Sequence, residues 1–472
     1  MAASDIHYLS AGELGRRIHK KEISPSEAVK AYLDRTEKLQ PTYHAYITVN
    51  KEEAMEQAKV LDKEAAAGKF RGPLHGVPVA IKDPVGVKGW PSTGGSRIFK
   101  DNVVNQDSTI ARKLKEAGAV IIAKANMTEM GIAETTEFPW GTPKNPWNHD
   151  RSTGSSSAGS GAATAAFMCA ASLGGDTGGS IRIPASYCGL VGLRPSFGRV
   201  SRHGVMTVTW SMDTIGPMTR TVEDTALMTQ AIAGYDPNDR YTYDAPVPDY
   251  TASFSRGIKG LRVGVIKELI EAEQVDKEVA AAVKTAVKKL HDLGAKVEEV
   301  SLPMVLHSGP IHWVICYSEF GTTYRDIIRT RARELTHMVR IAVLAGSLLP
   351  AQSYYKALLL REMLRRQVLA AFDRFDVLVS PTMPTAAMER AKSVHTESKD
   401  MVSSWVTGPV RMTAPFSHAN TPALSVPCGM TSERLPIGLQ IVGKPLDEET
   451  VLRAGHAYEQ ATDWHTLRPP GV

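Results

Sequence analysis

The chain of 472 residues can bury a large core, and its length suits about three domains or one large α/β unit equally. Its composition is that of an ordinary soluble protein, 43% hydrophobic and 22% charged, and the net charge is +5, from 55 Lys and Arg against 50 Asp and Glu. That charge reads as small and dispersed, so neither nucleic acid nor a membrane surface is expected as a partner. The four cysteines, Cys169, Cys188, Cys316 and Cys428, form no CxxC pair and have no His at ligand spacing, which argues against structural zinc and a disulfide framework. The first residues, MAASDIHYLSAGELGRR, lack a hydrophobic export region, and no apolar run is long enough to span a bilayer. A cytoplasmic enzyme is the expectation.

The first 70 residues read as helices. Ser10 with Glu13, and Ser24-Pro25 with Glu27, are capping-box patterns. Asn50 with Glu53 opens a third helix that Gly68 closes. This part reads as a helical arm, residues 1–70, packed on a catalytic unit spanning 71–472. From Val77 the pattern alternates: strand Val77–Ile81, helix Ser108–Ala117 ended by Gly118, strand Val120–Ala123, then a short helix through Met130 capped by Asn126. Ala158–Ala171, rich in small residues, suits a buried helix pressed on a sheet, and Thr221–Gly234 a further amphipathic one. Gly257–Pro303 reads as a β-α-β unit with its helix over Asp276–Leu293. Residues 304–372 are helical by pattern, and strands follow at Phe375–Val379, Ala423–Val426 and Gly438–Val442. The alternation predicts one α/β fold with a central mixed sheet and helices on both sides.

Three segments carry chemistry. Gly174-Gly175-Asp176-Thr177-Gly178-Gly179-Ser180-Ile181-Arg182-Ile183-Pro184 places a serine at the end of a glycine-rich turn, where successive N–H groups can converge on an oxyanion. Gly76-Val77-Pro78-Val79-Ala80-Ile81-Lys82-Asp83 delivers a lysine at the end of an apolar strand. Ser152–Ser160 contains five serines in nine residues. In this order the segments resemble the amidase signature family of Ser-Ser-Lys hydrolases, over roughly Gly72–Gly234 and again at Thr421–Gly443. The resemblance implies Ser180 as nucleophile, Ser156 as a bridging serine held by a cis peptide bond, and Lys82 as base. It also implies an oxyanion hole from the backbone N–H groups of Thr177, Gly178, Gly179 and Ser180, with substrate contacts at Gly131 and Ser156. Asp176 and Arg182 flank the loop with opposite charges and are expected to pair as structural support. No metal or organic cofactor is implied.

Lysine ordinarily titrates near 10.4, so Lys82 must be made neutral, and burial under the VPVAI strand is the means. The chain has 14 histidines but no G-x-S-x-G elbow, which disfavours a Ser-His-Asp triad. Two departures from the family pattern stand out: Ser155 and Ala158 replace glycines in the serine cluster, and Pro84 follows Lys82-Asp83. These readings lead to a stand-alone amidase cleaving a small uncharged or aryl amide, with activity extending to esters and carbamates (a urethanase), and with a homodimer as its assembly. The aromatic-rich 304–372 segment, Trp90, Trp140 and Trp210 are candidates to line its apolar pocket. A competing reading is the amidase component of a tRNA-dependent amidotransferase, which needs partner subunits, glutamine as ammonia donor and a path for ammonia; Gly204–Trp210 departs from the pattern expected there. A non-enzymatic anion or nucleotide cradle is the third reading, although no Walker or G-x-G-x-x-G pattern supports it.

Overall fold

The helix starts written into the first 70 residues are capped as their sequences require. Ser10 Oγ accepts the Glu13 N–H at the start of α1 (Ala11–His19), and Ser24 and Glu27 form a reciprocal capping box on α2 (Pro25–Tyr43). Between α2 and the third helix, however, Tyr46–Val49 is a strand, β1, and it belongs to the central sheet. The region is therefore more than a helical arm. Asn50 then caps α3 (Lys51–Ala66), and Gly68, with φ of +73°, turns the chain away. The structure, a computed structural model, describes residues 3–132, 138–390 and 408–472.

The chain continues through β2 (Pro78–Lys82), α4 (Thr109–Glu116), β3 (Val120–Ala125), α5 (Ala158–Ala165), β4 (Ala171–Asp176), α6 (Arg182–Tyr187), β5 (Val191–Arg194), β6 (Thr214–Thr219) and α7 (Val222–Ile232). Next come β7 (Arg262–Ile266), α8 (Lys267–Ile270), α9 (Lys277–Asp292) and β8 (Lys296–Val300), which realise the expected β-α-β unit. A helical block follows: α10 (Ser308–Thr323), α11 (Arg325–Arg331), α12 (His337–Leu348) and α13 (Ala351–Ala371). The chain closes with β9 (Val377–Pro381), α14 (Ala414–His418), β10 (Ala423–Met430), β11 (Pro436–Gly443) and α15 (Glu448–Gln460). Among the described residues the strands form one sheet of eleven, in the order β1-β3-β2-β4-β6-β5-β10-β11-β9-β7-β8. It is mixed: β3-β2-β4 and β9-β7-β8 run parallel, and the remaining pairs are antiparallel.

Two expected helices are shorter than their patterns. Ala158–Ala171 splits into α5 and the first residue of β4, with Phe167 in the left-handed region between them. Asn126 does not cap a helix, because its amide donates to the His44 and Gly141 carbonyls and its oxygen accepts from Met127 N–H. Among the described residues, a 3-10 turn, Glu129–Gly131, follows it.

Apolar side chains fill both sides of the sheet. Leu14, Ile18, Val29 and Tyr32 pack with Val79, Ile81 and Ile121 in one cluster, and Val283, Leu290 and Leu452 with Val379, Leu439 and Ile441 in another. A third cluster holds the helical block, where Ile315, Phe320, Val343 and Leu364 meet Leu378 and Phe416. Each such side chain contributes about 1.5–3 kcal/mol through burial.

Candidate active site

Parallel pairing of β2 with β4 brings their C-terminal ends to one edge of the sheet, with Val79, Ala80 and Ile81 opposite Ala171, Ser172 and Leu173. Lys82 is the last residue of β2, and β4 ends at Asp176, where the chain enters the turn Thr177–Ser180. The serine cluster lies across the same edge. Ser160 Oγ donates to the Leu173 carbonyl, and Ser157 Oγ donates to the Gly175 carbonyl while accepting its N–H. Small residues make this approach feasible: a Cβ on Gly159 would sit 2.3 Å from the Ala45 carbonyl oxygen.

The arrangement places Lys82 Nζ 2.6 Å from Ser156 Oγ and 3.3 Å from the Gly175 carbonyl oxygen. The Ser155–Ser156 peptide is cis. Lys82 is only 3% exposed, and this burial lowers its pKa to about 7, against the opposing pull of the Asp213 and Asp176 carboxylates. Ser180 stands partly exposed in the turn before α6, and its hydroxyl makes no hydrogen bond among the described residues.

The loop before Ser180 is held from below by Asp176. Its carboxylate accepts from Arg182 Nε and Nη2 at 3.0 Å each, from Arg194 Nη1 at 3.2 Å, and from the N–H groups of Gly179 and Ile181. Burial pushes this carboxyl up, but the two guanidiniums and the amide donors outweigh it and hold Asp176 well below the usual carboxylate range. Arg182 also donates to the Thr413 carbonyl, Gln440 and Ser417, tying the loop to α14 and β11. The Gly179 N–H, one of the four expected oxyanion donors, is thus directed at Asp176. Those of Thr177, Gly178 and Ser180 make no hydrogen bond among the described residues.

Four further residues shape the loop without any signal in the local sequence. Asp213 accepts from Thr177 Oγ1 at 2.6 Å and from the N–H groups of Val208 and Thr209. Arg194 bonds Asp176 and the Met212 carbonyl. His312, on α10, lies so close over Gly178 that a Cβ there would meet its ring at 2.5 Å, and burial lowers its imidazole to about 4, leaving it neutral. Thr413 Oγ1 donates to the Gly178 carbonyl. All four come from elements distant in sequence.

A cavity opens beside Lys82 and Ser156, walled by Pro84, Met127, Met130, Met206, Val208 and Tyr324, with Asp213 and Thr177 at its polar end. The departing Gly204–Trp210 segment supplies much of this wall. Gly131 is close by: a Cβ there would stand 3.7 Å from Ser156 Oγ, and its φ is +73°. Of the expected lining, the 304–372 segment contributes Tyr324, whereas Trp90, Trp140 and Trp210 are not among the residues of this wall. Trp90 is buried, with Nε1 donating to Glu53 of α3, and Trp210 is 37% exposed; the aromatic of the wall is Tyr324. Among the described residues no group of His, Cys, Asp or Glu is placed to hold a metal ion, and no helix is long and apolar enough to cross a membrane.

The family model for amidases matches residues 27–452. The chain belongs to the amidase family. Amidase relatives include a glutamyl-tRNA(Gln) amidotransferase subunit from Moorella thermoacetica, 40% identical over 98% of this chain and 99% of its own. Among solved structures, the corresponding glutamyl-tRNA(Gln) amidotransferase subunit from Thermotoga maritima has a TM-score of 0.80 at 31% identity, covering 97% of this chain and 95% of its own. A bacterial aryl acylamidase of the amidase signature family reaches 0.89 at 27% identity, covering 99% of this chain and all of its own. This amidase is accordingly an enzyme of amide carbon–nitrogen bonds with the amidase signature fold. The relatives overturn the expectation of a self-contained amidase for small uncharged or aryl amides. They equally overturn the expected partners, a small molecule and at most a second copy with no nucleic acid, because they are named as subunits of an enzyme whose substrate is a tRNA.

Proposed function

We propose that this amidase is the amide-hydrolysing component of a tRNA-dependent amidotransferase, releasing ammonia from glutamine for transfer by partner subunits. The observation that carries the chemistry is the buried 2.6 Å contact between Lys82 Nζ and Ser156 Oγ; the likeness to amidotransferase subunits along nearly the whole chain supports the assignment of role. Neutral Lys82 takes a proton from Ser156 as Ser156 takes one from Ser180, and the Ser180 oxygen forms a bond to the glutamine side-chain carbonyl carbon. The Thr177, Gly178 and Ser180 N–H groups stabilise the oxyanion. Collapse breaks the C–N bond; the proton returns along the same path, and ammonia departs. Water then attacks the acyl-enzyme by the same route, giving glutamate and free Ser180. Gly131 lies along the substrate side of Ser156.

The test is ammonia release from glutamine, measured for the chain alone and together with the partner subunits of the Moorella thermoacetica enzyme and glutamyl-tRNA(Gln). Glutamine hydrolysis that rises on assembly and disappears in Ser180→Ala is the expected result. Folded protein that releases no ammonia from glutamine in either setting would remove the amidotransferase role. Hydrolysis that persists in Ser180→Ala would remove the nucleophile.

A further inference from the structure

The chain's charge is not dispersed as composition suggests. The 42 residues Arg325–Arg366 hold nine Lys and Arg against three Asp and Glu, leaving 46 basic against 47 acidic residues in the other 430. The whole positive excess thus sits on α11, α12, α13 and their connections. Two of the three acids there are already paired, Glu334 with Arg331 and Glu362 with Arg366. Arg325, Arg329, Arg333 and Lys356 are exposed with no carboxylate partner among the described residues.

The same helices present the densest exposed apolar surface among the described residues. Tyr355, Leu359 and Met363, at 64%, 51% and 56% exposure, recur every four residues along one face of α13, while Ala357, Leu364 and Val368 on its other side are buried. Leu344 and Leu348, the latter 80% exposed, repeat the spacing at the end of α12. Of the thirteen large hydrophobic residues exposed among the described residues, five therefore fall within twenty positions. Single exposed leucines need no explanation, but a clustered stripe marks a surface that another molecule covers.

We propose that α12 and α13 form the docking face for an acidic amphipathic helix of a partner polypeptide. A stripe repeating every four residues matches the apolar edge of a helix, which would lay its own i, i+4, i+8 side chains against it. Carboxylates flanking that edge would meet Lys356, exposed on the same helix, giving register and speeding encounter. A second copy of this chain fits poorly, since a two-fold contact would set the same basic excess against itself. RNA phosphates would engage the arginines but leave the Tyr, Leu and Met stripe in water. This partner assignment rests on the reading of the chain as one component of a larger enzyme, but its test reads binding and not ammonia, so the two can fail separately.

The probe is a fluorescein-labelled 24-residue helical peptide with Leu at heptad a and d positions and Glu at the flanking ones, followed by anisotropy on the full chain. A second peptide carries Lys in place of Glu. Saturable binding of the acidic peptide is expected, weakened at least tenfold by Leu359→Ser with Met363→Ser, by Lys356→Glu, and by the lysine peptide, with thermal melting unchanged. No saturable binding, or binding indifferent to these changes, overturns the proposal. So does sedimentation showing a dimer of the wild type that the Leu359→Ser/Met363→Ser variant abolishes. A tRNA transcript whose binding is lost in the same serine variant would assign the stripe to RNA and overturn it as well.

Discussion

Lys82 sits where two effects oppose one another. Burial strips water from its ammonium and lowers its pKa, while Asp213 and Asp176 favour the charged form, and burial prevails at about 7. As the proposed base, Lys82 must be neutral to accept a proton, so on that reading the rate should climb as pH rises through about 7 and level off above it. Asp213→Asn keeps a side chain of the same shape beside Thr177, Val208 and Thr209 but removes the larger of the two opposing charges. Lys82 then loses its proton at lower pH, and the midpoint of the pH–rate profile should fall by about one unit. The other charged groups near this site are Arg194, bonded to Asp176, and Arg202 on the cavity wall. A rate that drops with the midpoint fixed would make Asp213 a support for the loop alone. Lys82, Ser156 and Ser180 stand out in the sequence as candidates because each lies in a short distinctive run. Asp213, Arg194, His312 and Thr413 do not, since each reaches the loop from an element that only the folded sheet brings near.

The element that most constrains the Gly178 turn is α10. Its His312 ring occupies the space a side chain at 178 would need, and Thr413 grips the carbonyl of the same residue. Gly178→Ala should therefore displace the N–H groups around Ser180 and reduce turnover by about a hundredfold, the scale of losing one oxyanion donor. Adding His312→Ala opens the space and should restore part of that loss; single-turnover rates on both variants measure it. No recovery in the double variant would mean that the turn, not the helix, sets the limit. Capped helices were legible in the sequence because a cap is a contact within four residues. Strands β5 and β6 were not. β5 is only four residues long, and β6 carries Gly216 and Pro217, residues that weaken a strand pattern. What makes Thr214–Thr219 a strand is its place between β4 and β5, where a Cβ on Gly216 would strike the Leu193 carbonyl at 2.2 Å.

At the scale of the molecule, the first 70 residues share one sheet and one apolar cluster with the chain that follows. β1 covers the edge of β3, and α1, α2 and α3 bury Leu14, Ile18, Val29, Tyr32, Ala54, Ala58 and Leu61 in the cluster that contains Val79 and Ile81, just before Lys82. Polar ties cross the same boundary: Gly12 N–H donates to Asp224, Trp90 Nε1 to Glu53, and Arg220 to the Leu9 carbonyl. Deleting residues 1–70 would bare the underside of β2 and β3 and leave Asp224 without the Gly12 amide it accepts from. Four large apolar contacts at about 1.5–3 kcal/mol each already reach the 5–15 kcal/mol that separates most folded domains from their unfolded chains. The truncated chain should therefore show no cooperative thermal transition by circular dichroism and should accumulate as aggregate, with the exposed β3 edge free to pair. A removable arm predicts the opposite, a soluble truncated protein that melts in one step with its Lys82–Ser156 contact intact. The strand contributed by Tyr46–Val49 decides between them, because a sheet edge cannot be withdrawn without opening the face beneath it.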